Sequence, residues 1–313
     1  MPVPARIRAV LADRAAVAAE VERLQAELER LQTELADYQR GWAPGHFYSP
    51  IPSLERVKER EQEIFAGQPE GIPLVDLNDA GQLALFERLS RFSEEQPFPA
   101  KKVSGRRYYF ENPNFTYGEA LILYAMVRHL RPRRIIEIGS GYSSCAVLDT
   151  NEIFFDGSIA CSFVEPYPDL LLSLLLPGDD AHLDLVREGV QTIDTEFFSS
   201  LAADDILLID STHVAKVDSD VNHILFRVLP ALARGVYVHF HDIQYPFEYP
   251  KEWIYQGRAW NEAYILRAFL QGSAAFEVVF FNSYFAQFHR ELLSTGMPLS
   301  LNGPGSSLWL RKS

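Results

Sequence analysis

From about residue 104 onward, short apolar runs alternate with amphipathic stretches. "TYGEALILYAMVRHLRP" carries apolar side chains at helical spacing and is stopped by Pro132. Seven short runs follow: "RIIEIG", "CSFVEP", "LDLVREG", "DILLIDS", "GVYVHFHD", "FEVVFFNS" and "SSLWLRK". Continuous apolar strands separated by helices predict a mostly parallel sheet covered on both faces, an α/β fold. The last two runs lie close enough in sequence for one antiparallel hairpin to end the sheet.

A different pattern fills residues 15–40. Val17, Val21, Leu24, Leu28, Leu31, Leu35 and Tyr38 are spaced alternately four and three apart, with charged residues elsewhere. That is the a/d seam of a coiled coil. Such a seam is satisfied either by a homodimer through residues 15–40 or by folding back on its own domain. Gly41 and Pro44 in "GWAPGHFYSPIPS" end the helix, and residues 54–100 alternate short helical patterns with Pro-containing loops. The predicted divisions are an N-terminal heptad helix at 1–42, a helical cap and linker at 43–103, and a main α/β domain at 104–313.

A formal net charge of -13 argues against a sequence-independent nucleic-acid binder, which needs a basic face. Small-molecule, glycan or protein substrates fit better. Cys145 and Cys161 show neither CxxC nor zinc-ligand spacing, so they read as buried thiols. No run of about 18 apolar residues is present and the first residues lack a secretory pattern, so neither membrane insertion nor export is expected and the cytoplasm is the predicted location.

"RIIEIGSGYSSCAVL" is a strand that enters a Gly-x-Gly turn and then a helix. Gly139 and Gly141 let a ligand approach the backbone, and Ser143 and Ser144 can cap the helix. The third glycine of a dinucleotide fingerprint is absent, because Ser144 stands in its place. Glu165 closes the next strand, where an acid can accept both ribose hydroxyls of an adenosine, in NAD and S-adenosylmethionine alike. Glu137, two residues before Gly139, favours the second, since a carboxylate there can support the methionine ammonium.

"EIGSG", "FVEP" and "DILLIDSTH", in that order and separated by helices, resemble the class I S-adenosylmethionine-dependent methyltransferases. "IDSTH" with "HFHDI" further resembles the bacterial metal-dependent sugar and macrolide O-methyltransferases. The resemblance covers about residues 105–313. It implies a Rossmann-like seven-stranded sheet in the order 3-2-1-4-5-7-6 with helices on both faces, the cofactor lying above the strand ends at the switch point. It also implies that Gly139, Ser140, Gly141, Ser143, Glu165 and Asp210 bind the cofactor, while Val190 and Gln191 flank its adenine.

In that fold Asp210, His241 and Asp242 converge at one rim, since neighbouring strands lie about 4.8 Å apart. A divalent cation would relieve the repulsion between the carboxylates. By resemblance Asp210, His241 and Asp242 are metal ligands and His213 is the general base. His241 stands where those enzymes are expected to carry an acid, and imidazole suits manganese, iron or zinc better than magnesium. His239, inside the strand, reads as a core histidine. Tyr245, Phe247, Tyr249, Trp253, Tyr255 and Trp260 form a candidate acceptor platform.

The reading is an O-methyltransferase of a hydroxylated small molecule or sugar that uses S-adenosylmethionine, a divalent metal (magnesium, manganese or iron) and a histidine base. Two alternatives use the same residues differently. One is an NAD-dependent oxidoreductase, the other a non-enzymatic partner protein acting through its coiled coil.

Overall fold

The structure, a computed structural model, describes residues 5–38, 41–65, 67, 69–179 and 183–313. The chain divides into two compact units, Met1–Ala66 and Gly67–Ser313.

The first unit contains α1 (Ala5–Tyr38), an unbroken helix of 34 residues, followed by the short α2 (Leu54–Glu59) and α3 (Glu61–Ile64). Ser53 caps α2 by accepting from the Arg56 N–H. The heptad positions Val17, Val21, Leu24, Leu28, Leu31 and Leu35 lie on α1 and are exposed.

In the second unit, α4 (Asp79–Leu89), α5 (Tyr117–Leu130) and α6 (Tyr142–Phe155) pack with the sheet into one core. Leu85, Phe86, Leu89 and Phe98 join that core, and the Asn78 amide donates to the Val278 carbonyl. The expected cap at 43–103 is therefore divided: residues 67–103 are built into the main unit, because their apolar side chains are buried there. The spacing in α5 predicts one apolar face, but every residue from Gly118 to Val127 is buried, because the helix lies within the core. It ends where Arg131 turns left-handed (φ 51°) ahead of Pro132.

The sheet has seven strands in the expected order 3-2-1-4-5-7-6: β1 (Arg134–Ile138), β2 (Ala160–Val164), β3 (Asp184–Val186), β4 (Ile206–Ile209), β5 (Tyr237–Phe240), β6 (Phe276–Phe281) and β7 (Leu308–Lys312). β1 to β5 run parallel, while β7 is antiparallel to both β5 and β6. The β6–β7 pair is antiparallel as expected, but two helices, Asn282–Phe288 and Arg290–Gly296, intervene in place of a tight hairpin.

Register sets the site. Ile138 pairs with both Val164 and Ile209, and Ile209 pairs with Phe240. Four strands thus end level, and the next residues, Gly139, Glu165, Asp210 and His241, share one rim.

Candidate active site

Gly139 takes φ +85°, and a Cβ on it would collide with the Asp210 carbonyl oxygen. Only glycine permits that turn without strain. The turn is braced from behind. The Gly141 N–H donates to Ser144 Oγ (3.0 Å), and the Ser143 and Ser144 hydroxyls donate to the two oxygens of Glu137 at 2.5 and 2.6 Å. Glu137 is 1% exposed, and burial pushes its carboxyl up to about 8, against the pull of the two serines. The two serines thus tie Glu137 to the turn and to the start of α6. Ser140, by contrast, keeps its buried hydroxyl without a partner, as a group awaiting a ligand would.

The raised Glu137 pKa has a testable sign. The folded protein keeps a proton that an unfolded glutamic acid releases near pH 4.5, so this contribution to stability is full below pH 4.5 and is lost as pH rises through about 8. Its upper bound is on the order of 5 kcal/mol. Glu137→Gln should remove that slope, and chemical denaturation of both proteins from pH 5 to 9 measures it; parallel stability curves would show that Glu137 titrates normally.

Glu165 is half-buried, and its Oε1 accepts from the Tyr167 N–H at 2.8 Å. Val190 is buried at the start of a short 3-10 turn after β3, and Gln191 donates from Nε2 to the Asp218 carbonyl.

The titratable cluster lies beside the turn. His213, in a left-handed conformation at φ +59°, points Nε2 at Asp210 Oδ1 (3.5 Å) and Asp242 Oδ2 (3.9 Å). Its Nδ1 lies 2.8 Å from Glu262 Oε2, and Trp260 lies against the ring with centroids 4.3 Å apart and planes tilted by 39°. Burial opposes charge on His213, but the bonds to Asp210 and Glu262 prevail and raise it to about 9. His241 faces Asp242 through Nε2 (3.5 Å) and Glu119 through Nδ1 (3.2 Å). The Glu119 contact lacks the alignment of a hydrogen bond, so Nδ1 is buried and unsatisfied. Burial works against its charge too, yet the carboxylates of Glu119, Asp210 and Asp242 hold His241 well above an ordinary histidine. Burial raises Asp242 despite both imidazoles. Asp210 is lowered, because His241 and His213 outweigh desolvation of a side chain that remains 44% exposed.

Asp210, His213, His241 and Asp242 are thus brought together as the sequence predicts, but the atoms placed to share one ion belong to Glu119, His241 and Asp242. These lie within 4.8 Å of one another, and Asp210 faces His213 beside them. Glu119, Glu262 and Ser306 do not stand out in the strand pattern. Glu119 comes from the first turn of α5, buried at 6%, and accepts from the Ser306 N–H. Ser306 also donates its hydroxyl to Asp242 at 3.0 Å. An acid inside the otherwise apolar "GEALILYAMV" is the signal that would have found it.

His239 is the core residue expected. It is 3% exposed, lies edge-on to Trp309 and is kept neutral, its pKa driven down to about 3 first by burial and then by His241. The aromatic platform divides. Tyr245, Phe247 and Tyr249 are buried at 2% each, the first two packing on Phe281, so they glue the loop down. Trp260 lies against His213.

Residues 136–243, which include Gly139, Glu165, Asp210, His241 and Asp242 of this rim, match the profile of a methyltransferase domain family. An uncharacterized protein of Archaeoglobus fulgidus is 37% identical over 162 residues, 50% of this chain and 72% of that protein, and the chain belongs to the same family as it does. Among solved structures, the SAH-bound methyltransferase PaMTH1 of Podospora anserina is 14% identical with a TM-score of 0.39, covering 85% of this chain and 99% of that one. The O-methyltransferase TomG of Streptomyces achromogenes, involved in tomaymycin synthesis and solved with SAM, is 15% identical with a TM-score of 0.40, covering 77% and 93%. Among the described residues, no helix is long and apolar enough to cross a membrane.

Proposed function

We propose that this chain is an S-adenosylmethionine-dependent O-methyltransferase of a hydroxylated small molecule or glycan, assisted by a divalent metal. The observation that carries the proposal is the cluster at the rim: Glu119, His241 and Asp242 within ion-sharing distance, next to Asp210 and His213 and level with Gly139 and Glu165. The residues fit both groups. The unpartnered Ser140 hydroxyl and the Gly139 approach suit a cofactor, and the unsatisfied His241 Nδ1 suits a cation. A ligand set containing one imidazole favours manganese or iron over magnesium.

S-adenosylmethionine supplies a methyl group on a sulfonium, and the cation, bound by Glu119, His241 and Asp242, would orient the acceptor hydroxyl, lower its pKa and offset the carboxylates that keep His213 protonated. The chain does the rest. Glu165 receives the ribose hydroxyls, and Gly139 and Gly141 admit the cofactor against backbone. Glu262 fixes the His213 ring through Nδ1, leaving Nε2 as the atom that takes the acceptor's proton. Trp260 supports the ring from one face.

Glu165→Ala should weaken S-adenosylhomocysteine binding about tenfold or more, read by titration calorimetry; unchanged affinity would displace the ribose from β2. The reaction itself is tested by transfer of labelled methyl from S-adenosylmethionine to a panel of sugars and polyhydroxylated aromatics, with manganese and with chelator. Label in a hydroxylated acceptor that chelation abolishes is the expected result, and label in amines alone would overturn the proposal.

A further inference from the structure

We propose that α1 pairs with the same helix of a second copy of this chain, parallel and in register, so that the protein is a homodimer. The inference is independent of the chemistry proposed above. Six consecutive a/d side chains, Val17 to Leu35, lie along this helix between 47% and 58% exposed. At 1.5 Å per residue, 34 residues give a rod about 51 Å long, and an apolar stripe on such a rod favours burial.

The charges beside the stripe choose the occupant. With Val21, Leu28 and Leu35 at a and Val17, Leu24 and Leu31 at d, the g positions are Glu20, Glu27 and Glu34, and the e positions are Ala18, Gln25 and Gln32. A parallel pair sets g against the e of the following heptad in the partner. Glu20 then meets Gln25 and Glu27 meets Gln32, each a carboxylate beside an amide that can donate to it. An antiparallel pair would set Glu27 against Glu27 and Glu20 against Glu34, stacking acids along one flank and amides along the other. Like charges so placed are repulsive, which leaves the parallel arrangement.

The acids are supported on the helix itself without leaving the g positions. Arg23 bridges Glu20 (2.8 Å) and Glu27 (3.2 Å), and Arg30 reaches Glu34 (3.1 Å). Both arginines sit at c, on the outer flank. Arg14, at the a position before Val21, starts the seam at Val17 by placing a charge at the next layer.

Light scattering of the full chain should give twice the 35.6 kDa of one copy. Leu24→Lys with Leu31→Lys should return the single-chain mass while leaving the melting temperature of the second unit and its response to S-adenosylhomocysteine as in the parent. Orientation is read by oxidative cross-linking, with the unmodified chain as the control for Cys145 and Cys161. Val17→Cys alone should form a covalent dimer. A cross-link confined to a mixture of Val17→Cys and Leu35→Cys chains would mean antiparallel pairing. That result, a single-chain mass for the unmodified protein, a trimeric mass, or a dimer that survives the two lysines would each overturn the proposal.

Discussion

Asp242→Ala should lower methyl transfer by at least about 100-fold, the scale for removing a charged group that acts directly on the reacting centre. Asp242 faces both His241 and His213 and accepts from Ser306, so it links the three-ligand group to the proton-holding imidazole. The conservative change is the more decisive. Asp242→Asn keeps an oxygen to accept from Ser306 but loses the charge, and should be nearly as inactive. Stability should respond the opposite way in Asp242→Asn: burial raises Asp242, so its charge is held at a cost, and asparagine suits the left-handed backbone there (φ 55°), so this variant should unfold at an equal or higher temperature. Single-turnover transfer of labelled methyl, run beside thermal unfolding, separates the two effects. An active Asp242→Asn would remove the charge from the mechanism.

The second large effect is expected at Gly139. Gly139→Ala places a methyl group onto the Asp210 carbonyl oxygen in a backbone conformation that alanine resists. The strain alone costs of order 1–3 kcal/mol, and relieving the clash must part β1 from β4 at the rim. S-adenosylhomocysteine affinity should fall by about 100-fold or more, with a lower melting temperature. Gly141→Ala is the internal comparison. Its φ of 172° suits any residue, and its Cβ would meet only Leu170 Cδ2 at 3.2 Å, a side-chain end that can shift. A milder effect at Gly141 than at Gly139 is the expected order, and the reverse order would place the ligand elsewhere.

These effects depend on features that were unequally readable. Most strands were legible because they are apolar runs buried in the sheet, β3 being only half-buried, and the rim followed because Glu165, Asp210 and His241 stand just past three strand ends and Gly139 past a fourth. Glu119 and Glu262 were not, since each reaches the site from a helix remote in sequence from the strand end it serves. Nor could Glu137 be seen to face the serines of α6, because its position in the strand does not fix which atoms its carboxylate meets. Tyr245, Phe247 and Tyr249 resembled an acceptor platform because an aromatic loop reads alike whether its rings turn outward or inward. The boundary near 103 moved to 66/67 for a related reason: short helices with partial apolar faces do not declare which core they join.

The central claim, that the Gly139 turn and Glu165 hold S-adenosylmethionine, is tested most directly by thermal unfolding with S-adenosylhomocysteine or NAD, each with and without a chelator. A ligand at about 100 times its dissociation constant adds roughly 2.7 kcal/mol, a shift of several degrees. A rise with S-adenosylhomocysteine, none with NAD, and a lower transition on chelation is the predicted result. A rise with NAD alone, or none with either, would contradict it.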